Sequence, residues 1–536
     1  MFGAVAAALG QAPTAPVPAL RKLILADSEA KVTSLPQNQE GESQVVVVEL
    51  PLLAKQELNL AVAPFFGKPI SLEMVNALGN AIKQYGIKHD RILNLVVPSQ
   101  DISGGVLRMA VIFGTYRDIT FRGNRWFSAK MLADKLGIKE GDEISISRLD
   151  EAVNWANSNP FRRIQVLLNP IEKAPGKTDL IVGVEERMPL RLAISFDDTG
   201  AEVIGKNHYT TMLQFGNALG LDHQATYQFI TTDHSKIYQA HAIDYRIPLR
   251  WRHYLQVAGS ISRARPTFGG GLFAQDAKNI GATLRYTVPL STGDNAVEWY
   301  GAMDFKQSNN NLEYGGLQII SNKTDVYHLG TGFSAVKRDK TGAWMLGGNL
   351  MFSPGALSPR NTTEVLQSAR PGAASGYLYA NVSLQRLFTL GKGWEIVTRA
   401  HAQVSTANLL GSEQITIGGS SSVRGYEDRI FAGDQGFVFN NEVMLPAWKT
   451  KLPFKNKNRP PLETRLLAFY DVADVSYKHL QPSDIHLSPL ASVGLGLRMS
   501  LSPNFGMSFD YGWQVTSITR PSEARNRGHL KATLAF

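Results

Sequence analysis

The chain reads as two parts: a tandem pair of α+β repeats, then a transmembrane antiparallel β-barrel of about sixteen strands. Three observations lead there. Beyond Leu190, apolar and polar residues alternate in runs of about ten, the length and period of a strand with one face in lipid. Before Leu190 the texture differs, with helix and strand signals recurring in two units of about 70 residues. No stretch of the 536 residues approaches the ~18 apolar residues of a membrane-spanning helix.

Composition fits this division. Charged residues make up 19%, below the roughly 25% of a soluble domain, while 48 Gly and 9% aromatics favour turn-rich β structure. Cys is absent, which excludes thiolate metal sites and disulfides and suits an oxidising compartment. The formal charge is +9, but the Lys and Arg residues are dispersed and no aromatic-basic motif accompanies them. Anionic lipid headgroups are a better partner for such a surface than nucleic acid.

Residues 1–44 read as the remnant of an export signal, a short helix and a linker. Met1–Leu9 is small and apolar and Gly10-Gln11-Ala12 resembles a cleavage site, although no Lys or Arg precedes Arg21. A Pro-rich stretch from Ala12 to Pro18 follows, then a helix expected over Leu20–Val32; none of this segment is expected to bury a core. The first repeat, 45–115, opens with a strand at Val45–Leu50. An amphipathic helix follows at Ser71–Tyr85, with Ser71 as N-cap, then strands at Ile92–Val97 and Val106–Ile112. The second repeat, 116–189, carries a strand at Tyr116–Phe121 and helices at Ser128–Lys135 and Ser147–Asn157. Strands at Ile164–Leu168 and Thr178–Glu185 complete it. Units this small suit docking modules that offer a sheet edge to an extended peptide.

The barrel occupies 190–536. In Ala491–Leu501 the odd positions are Ala, Val, Leu, Leu, Met and Leu, against Ser, Gly, Gly, Arg and Ser at the even ones. Strands are expected at 190–197, 207–217, 223–232, 237–246, 252–262, 277–289, 295–306 and 322–334. The remainder fall at 342–352, 375–388, 393–405, 436–446, 463–474, 490–501, 503–515 and 528–536. One long loop, 406–435, carries Val423-Arg424-Gly425-Tyr426. In Thr464–Val472 the apolar set Leu466, Ala468, Tyr470 and Val472 faces lipid, so Phe469 and Asp471 point into the lumen. A lumenal carboxylate needs no special partner. The loop is nevertheless long, and Gly425 lets its tip fold sharply, so Arg424 can turn back to meet Asp471.

No enzyme motif survives inspection. Gly176-Lys177-Thr178 looks like the end of a phosphate-binding loop, but Ile171 stands where its first Gly belongs. There is no Gly-x-Ser-x-Gly and no His-Glu-x-x-His, and the histidines are scattered; no catalytic residue, cofactor or metal is expected.

The Val423-Arg424-Gly425-Tyr426 loop and the Phe469-x-Asp471 strand resemble motifs of the outer-membrane superfamily that inserts or translocates polypeptides. The N-terminal repeats look like its polypeptide-transport-associated (POTRA) domains. Two such repeats make the chain similar to the haemolysin secretion/activation family of two-partner secretion transporters. The segments that agree include Pro98–Gly105 in the first repeat and Asn159-Pro160-Phe161-Arg162-Arg163 in the second, with Gly433-Asp434-Gln435-Gly436 after the loop. The resemblance implies an outer-membrane pore with periplasmic repeats, expected to be monomeric. Its partner would be a large secreted exoprotein with an N-terminal secretion domain; a barrel-assembly insertase is the alternative. It also implies a loop–barrel lock of Val423, Arg424, Gly425, Tyr426, Phe469 and Asp471, and a cargo-facing motif at Gln100 and Asp101. The chain departs from the family pattern in three places. Ala473 replaces a Gly, Gly86-Ile87 replaces a Gly-Tyr pair, and only the Leu20–Val32 segment stands for a plug helix.

Overall fold

The first repeat begins earlier than its sequence suggests. In the computed structural model, Lys22–Ala26 is a strand at the interior of a four-stranded sheet, in the order Val45–Val48, Lys22–Ala26, Val106–Phe113, Leu93–Val96. It runs parallel to both neighbours, with Leu23 opposite Val45 and Leu107. The expected Leu20–Val32 helix is therefore replaced by this strand and a short helix at Glu29–Ser34. The assignment of 1–44 to a coreless leader fails with it, because Leu20, Leu23 and Leu25 lie in the repeat's core beside Leu78, Ile82 and Met109. The cause is physical. A short apolar run covered on both faces has no period, so a central strand and a buried helix look alike. The structure describes residues 17–34, 44–53, 55–171, 173–200, 204–268, 273–314, 317–453, 460–518 and 524–536. Met1–Leu9 and the Gly10-Gln11-Ala12 site lie outside them.

The amphipathic helix of the first repeat starts at its expected cap, and the two helices of the second repeat also start behind serines. Ser71 accepts the Met74 N–H at 3.2 Å and opens Leu72–Lys88, and Ser128 and Ser145 do the same for Ala129–Leu136 and Ile146–Ala156. The second repeat has the expected strand-helix-helix-strand-strand order. Lys177–Glu186 lies between Thr115–Arg122 and Arg162–Pro170, over a core that includes Phe127, Leu132, Leu149 and Leu180. A carboxylate ties the repeats together. Asp90 of the first accepts the Ser147 N–H at 2.6 Å and the Ser147 hydroxyl at 2.9 Å, at the positive end of the helix Ile146–Ala156. The Ser145 hydroxyl, above all, holds its carboxyl below the ordinary value.

Contacts separate Met1–Arg187 from Met188–Phe536. The second unit is a closed antiparallel barrel with sixteen spanning strands among the described residues, each within a few residues of its expected place. It closes where Asn526–Ala535 pairs with Leu190–Asp197, from Lys531↔Asp197 to Ala535↔Ala193. Large apolar residues cover its outside; Leu495 is 59% and Met303 60% exposed, tolerable only against lipid. Phe273–Ser291, Asn295–Tyr314 and Leu317–Asp339 run to 19, 20 and 23 residues, where spanning takes roughly 9–11. Their extra length stands at the end of the barrel where 406–435 also emerges. It escapes the alternation test because Gln307, Ser308 and the Asn309-Asn310-Asn311 run break the sequence pattern.

Candidate functional site

Residues 406–435 form a hairpin that turns into the barrel. Ile415–Ile417 pairs with Phe431–Gly433, and its tip spans the Arg-Gly-Tyr turn. Val423 and Tyr426 are fully buried, in a cluster with Ile417, Val438, Ala473, Val475 and Leu490. Ala473, where the family pattern has Gly, presses its methyl group into this cluster. The Tyr426 hydroxyl bonds to the Ala491 carbonyl at 2.9 Å and pairs with the Thr516 hydroxyl at 2.9 Å.

Arg424 lies between three carboxylates. Its Nε and Nη2 donate to the two oxygens of Asp471 at 2.7 Å each, its backbone N–H also reaches Asp471 at 3.1 Å, and Nη1 donates to Glu442 at 2.6 Å. Asp510 stands 3.5 Å from Nη1. The guanidinium stacks 3.6 Å above the Phe469 ring. Charge balance comes from the wall. Arg498 holds Asp510 at 2.8 and 3.0 Å, and Arg399 holds Glu442 at 3.1 Å, so three arginines face three acids. Such balance is what allows charges to stay buried, since an unpaired one costs several kcal/mol.

Glycine lets the two backbones touch. A Cβ on Gly425 would lie 2.8 Å from the Gly512 carbonyl, and one on Gly512 would lie 2.7 Å from Arg424 C; Gly425 also sits at φ +91. A Cβ on Gly494 would strike the Phe469 ring at 2.2 Å. Lumenal glycines thus make a flat bed for the tip. The Gly425 N–H then meets His529 at 3.2 Å, and its carbonyl accepts from Gln514 at 3.0 Å.

The base of the hairpin is held differently. Asp434 is fully buried and collects the Leu409 N–H at 2.8 Å, Gln414 at 2.9 Å, the Lys478 N–H at 3.0 Å and Arg370 at 3.3 Å. Glu413 accepts from Lys306 at 2.8 Å and from Tyr379 at 3.0 Å.

The structure thus brings Arg424 together with Phe469 and Asp471, as the sequence suggests. Reading the sequence missed Glu442, Asp510, Arg498 and Gly512, although charges at lumenal positions of strands are a usable signal. Gln100 and Asp101 lie apart in the first repeat. The Gln100 amide exchanges two 2.8 Å bonds with the Arg108 backbone, and so serves the fold. Asp101 is exposed, its carboxyl held below the ordinary value by the Ser103 N–H at 2.9 Å and hydroxyl at 3.0 Å.

Residues 176–499 match the model of the haemolysin secretion/activation protein family ShlB/FhaC/HecB. The chain belongs to this family. Residues 114–187 also match the POTRA domain described as the surface antigen variable number repeat. The outer membrane transporter CdiB of Dickeya dadantii is 24% identical over 411 residues, covering 74% of this chain and 71% of that protein. CdiB of Escherichia coli is 24% identical over 425 residues, covering 75% and 68%. A structure of CdiB from Escherichia coli superposes with a TM-score of 0.73 at 18% identity, covering 98% of this chain and 92% of that one. BamA from Haemophilus ducreyi, without its POTRA domains 1–3, reaches 0.55 at 14% identity, covering 92% and 99%. These two likenesses concern the fold. As a member of this transporter family, the protein is an outer-membrane barrel whose POTRA repeats are periplasmic, and the family's members are transporters rather than enzymes.

Proposed function

We propose that the protein conducts an unfolded exoprotein from the periplasm to the cell surface, with the POTRA repeats capturing the cargo's N-terminal secretion domain. The observation that carries this reading is the tip of 406–435, bound inside the lumen by the ion pairs of Arg424 together with buried Val423 and Tyr426. A polar latch with every charge matched is stable when closed and costs little to hydrate when open. Val423, Arg424, Gly425 and Tyr426 then act with Phe469 and Asp471 as a lock that yields to the passing chain. In the repeats, exposed Asp101 offers the cargo a contact, and Gln100 holds the strand behind it. Folding of the cargo outside the cell supplies the drive, since the periplasm offers no nucleotide.

The test uses full-length protein in outer membranes with its exoprotein stalled in transit. Photo-crosslinking residues at Asp101 and at lumenal Thr283 should both yield cargo adducts. A lumenal adduct without any repeat adduct would remove the capture role; neither adduct would remove the conduit. The shared fold with BamA favours the insertase as the alternative, and loss of other barrels on deletion of this protein would decide for it.

A further inference from the structure

Toward one end of the barrel, the outer face carries a row of five polar side chains on five adjacent strands. Its members are opposite one another in register: Gln239, Arg263, Lys278, Asn309 and Lys323. Their face follows from parity. Lys323 alternates in step with exposed Leu329 and Phe333, Arg263 with Val257 and Ile261, and Lys278 with Leu284, all on the lipid side. Two rows nearer the barrel's middle the same strands present Ile243, Gly259, Ala282, Phe305 and Tyr327. The next row is Tyr245, Val257, Leu284, Met303 and Leu329. A mixed row of His241, Ile261, Ile280, Gln307 and Asp325 lies between, so the cations stand just beyond the apolar belt.

The end of the barrel is also defined. The chain enters it from the periplasm at Leu190, so connections after odd-numbered strands face the cell surface. The row lies at that end, where Tyr254–Ala264 and the strand beginning at Phe273 approach their connection. Charge there is net positive, since Arg263, Arg265, Lys278 and Lys323 outnumber Asp276 and Asp325. Asp276 is held by Arg263 at 2.8 and 2.9 Å and by Arg265 at 3.3 Å, and Asp325 is occupied by Gln307 at 2.7 Å and Ser358 at 3.0 Å. Lys278 is exposed, and Lys323 is half-buried beside it in the row. Neighbouring strands are about 4.8 Å apart, so three cations fall within roughly 15 Å along the bilayer boundary.

We infer that this row is a binding site for the phosphate groups of a phosphorylated lipid headgroup in the outer leaflet. Continuity with the lipid-facing belt selects a lipid over a soluble anion, because acyl chains on Val257, Leu284 and Met303 place the attached headgroup at the row. Basic residues near a membrane surface attract anionic headgroups. A phosphorylated glycolipid, with more than one phosphate per molecule, fits three cations better than a single phosphodiester.

The test takes full-length protein in phosphatidylcholine nanodiscs and titrates lipopolysaccharide carrying a doubly phosphorylated lipid A, against the same probe after phosphatase treatment. The triple change Arg263→Gln, Lys278→Gln and Lys323→Gln should weaken binding at least about tenfold while heat-modifiable migration on gels persists. Inorganic phosphate should not compete. Equal binding by wild type and the triple variant overturns the assignment, as does full competition by inorganic phosphate. Should the variant fail to insert, the wild-type protein decides alone, because equal affinity for phosphorylated and dephosphorylated probe would also overturn it.

Discussion

The tip and the base of the 406–435 hairpin are both fixed by buried charge, but with opposite polarity and different partners. At the tip the loop brings a cation, Arg424, to acids on rigid barrel strands. At the base it brings two acids: Asp434 meets donors from other loops and from the hairpin itself, while Glu413 meets Lys306 and Tyr379 on barrel strands. A contact with the wall can be released without disturbing the loop's own shape. A contact woven through Arg370 and Lys478 cannot, because breaking it loosens three segments at once. Under the proposed function, the difference makes the tip the part expected to move and the base its hinge.

The largest effect should follow Arg424→Ala, which leaves Asp471, Glu442 and Asp510 facing one another without their shared cation. Breaking a buried pair by removing one partner costs about 3–5 kcal/mol. Secretion should fall sharply, residues 418–430 should become accessible to protease on intact cells, and barrel insertion should persist. Asp471→Ala should act alike, and the double change should be less than additive, since both singles break one contact. Additive losses would mean that tip and wall are not coupled through this pair, and the comparison would collapse.

An intermediate effect is expected of Asp434→Asn. The amide keeps the shape but turns two N–H groups toward a site already full of donors, at a cost of about 1–3 kcal/mol. Hydrogen exchange should quicken in 406–414 and around 478 while 423–426 stays protected. Simultaneous loss of protection at the tip would show that the two ends open as one.

Legibility of the sequence divides along similar lines. The barrel strands were readable because lipid enforces a period of two, and the lumenal direction of Asp471 followed from Leu466 and Tyr470 on the other face. Arg424 and Gly425 were readable because a charged glycine turn in a long loop has few other uses. Glu442, Asp510 and Gly512 were not. Their part depends on register, which sets Asn440 opposite Asp471 and Gly496 opposite Asp510, and on the hairpin that carries Arg424 to them. Asp434 was noticed as part of a motif, yet its four donors come from segments spread over more than a hundred residues. Lys22–Ala26 was misread because a strand buried on both faces carries no period.

The smallest effect should come from Lys306→Arg, and it probes the base from the wall side. The Lys306 side chain is 40% exposed while its partner Glu413 is 1% exposed, so the pair straddles the edge of the buried region. The arginine keeps the positive charge beside the buried carboxylate, and the half-open setting accommodates its longer stem. Glu413 keeps the Tyr379 hydroxyl at 3.0 Å as a donor after the change. The loss should therefore be about 1 kcal/mol or less, visible as slightly faster hydrogen exchange in 406–414 with secretion unchanged. An effect as large as that of Asp434→Asn would mean that the base, like the tip, is pinned to the barrel wall. The hinge would then have to lie outside the hairpin.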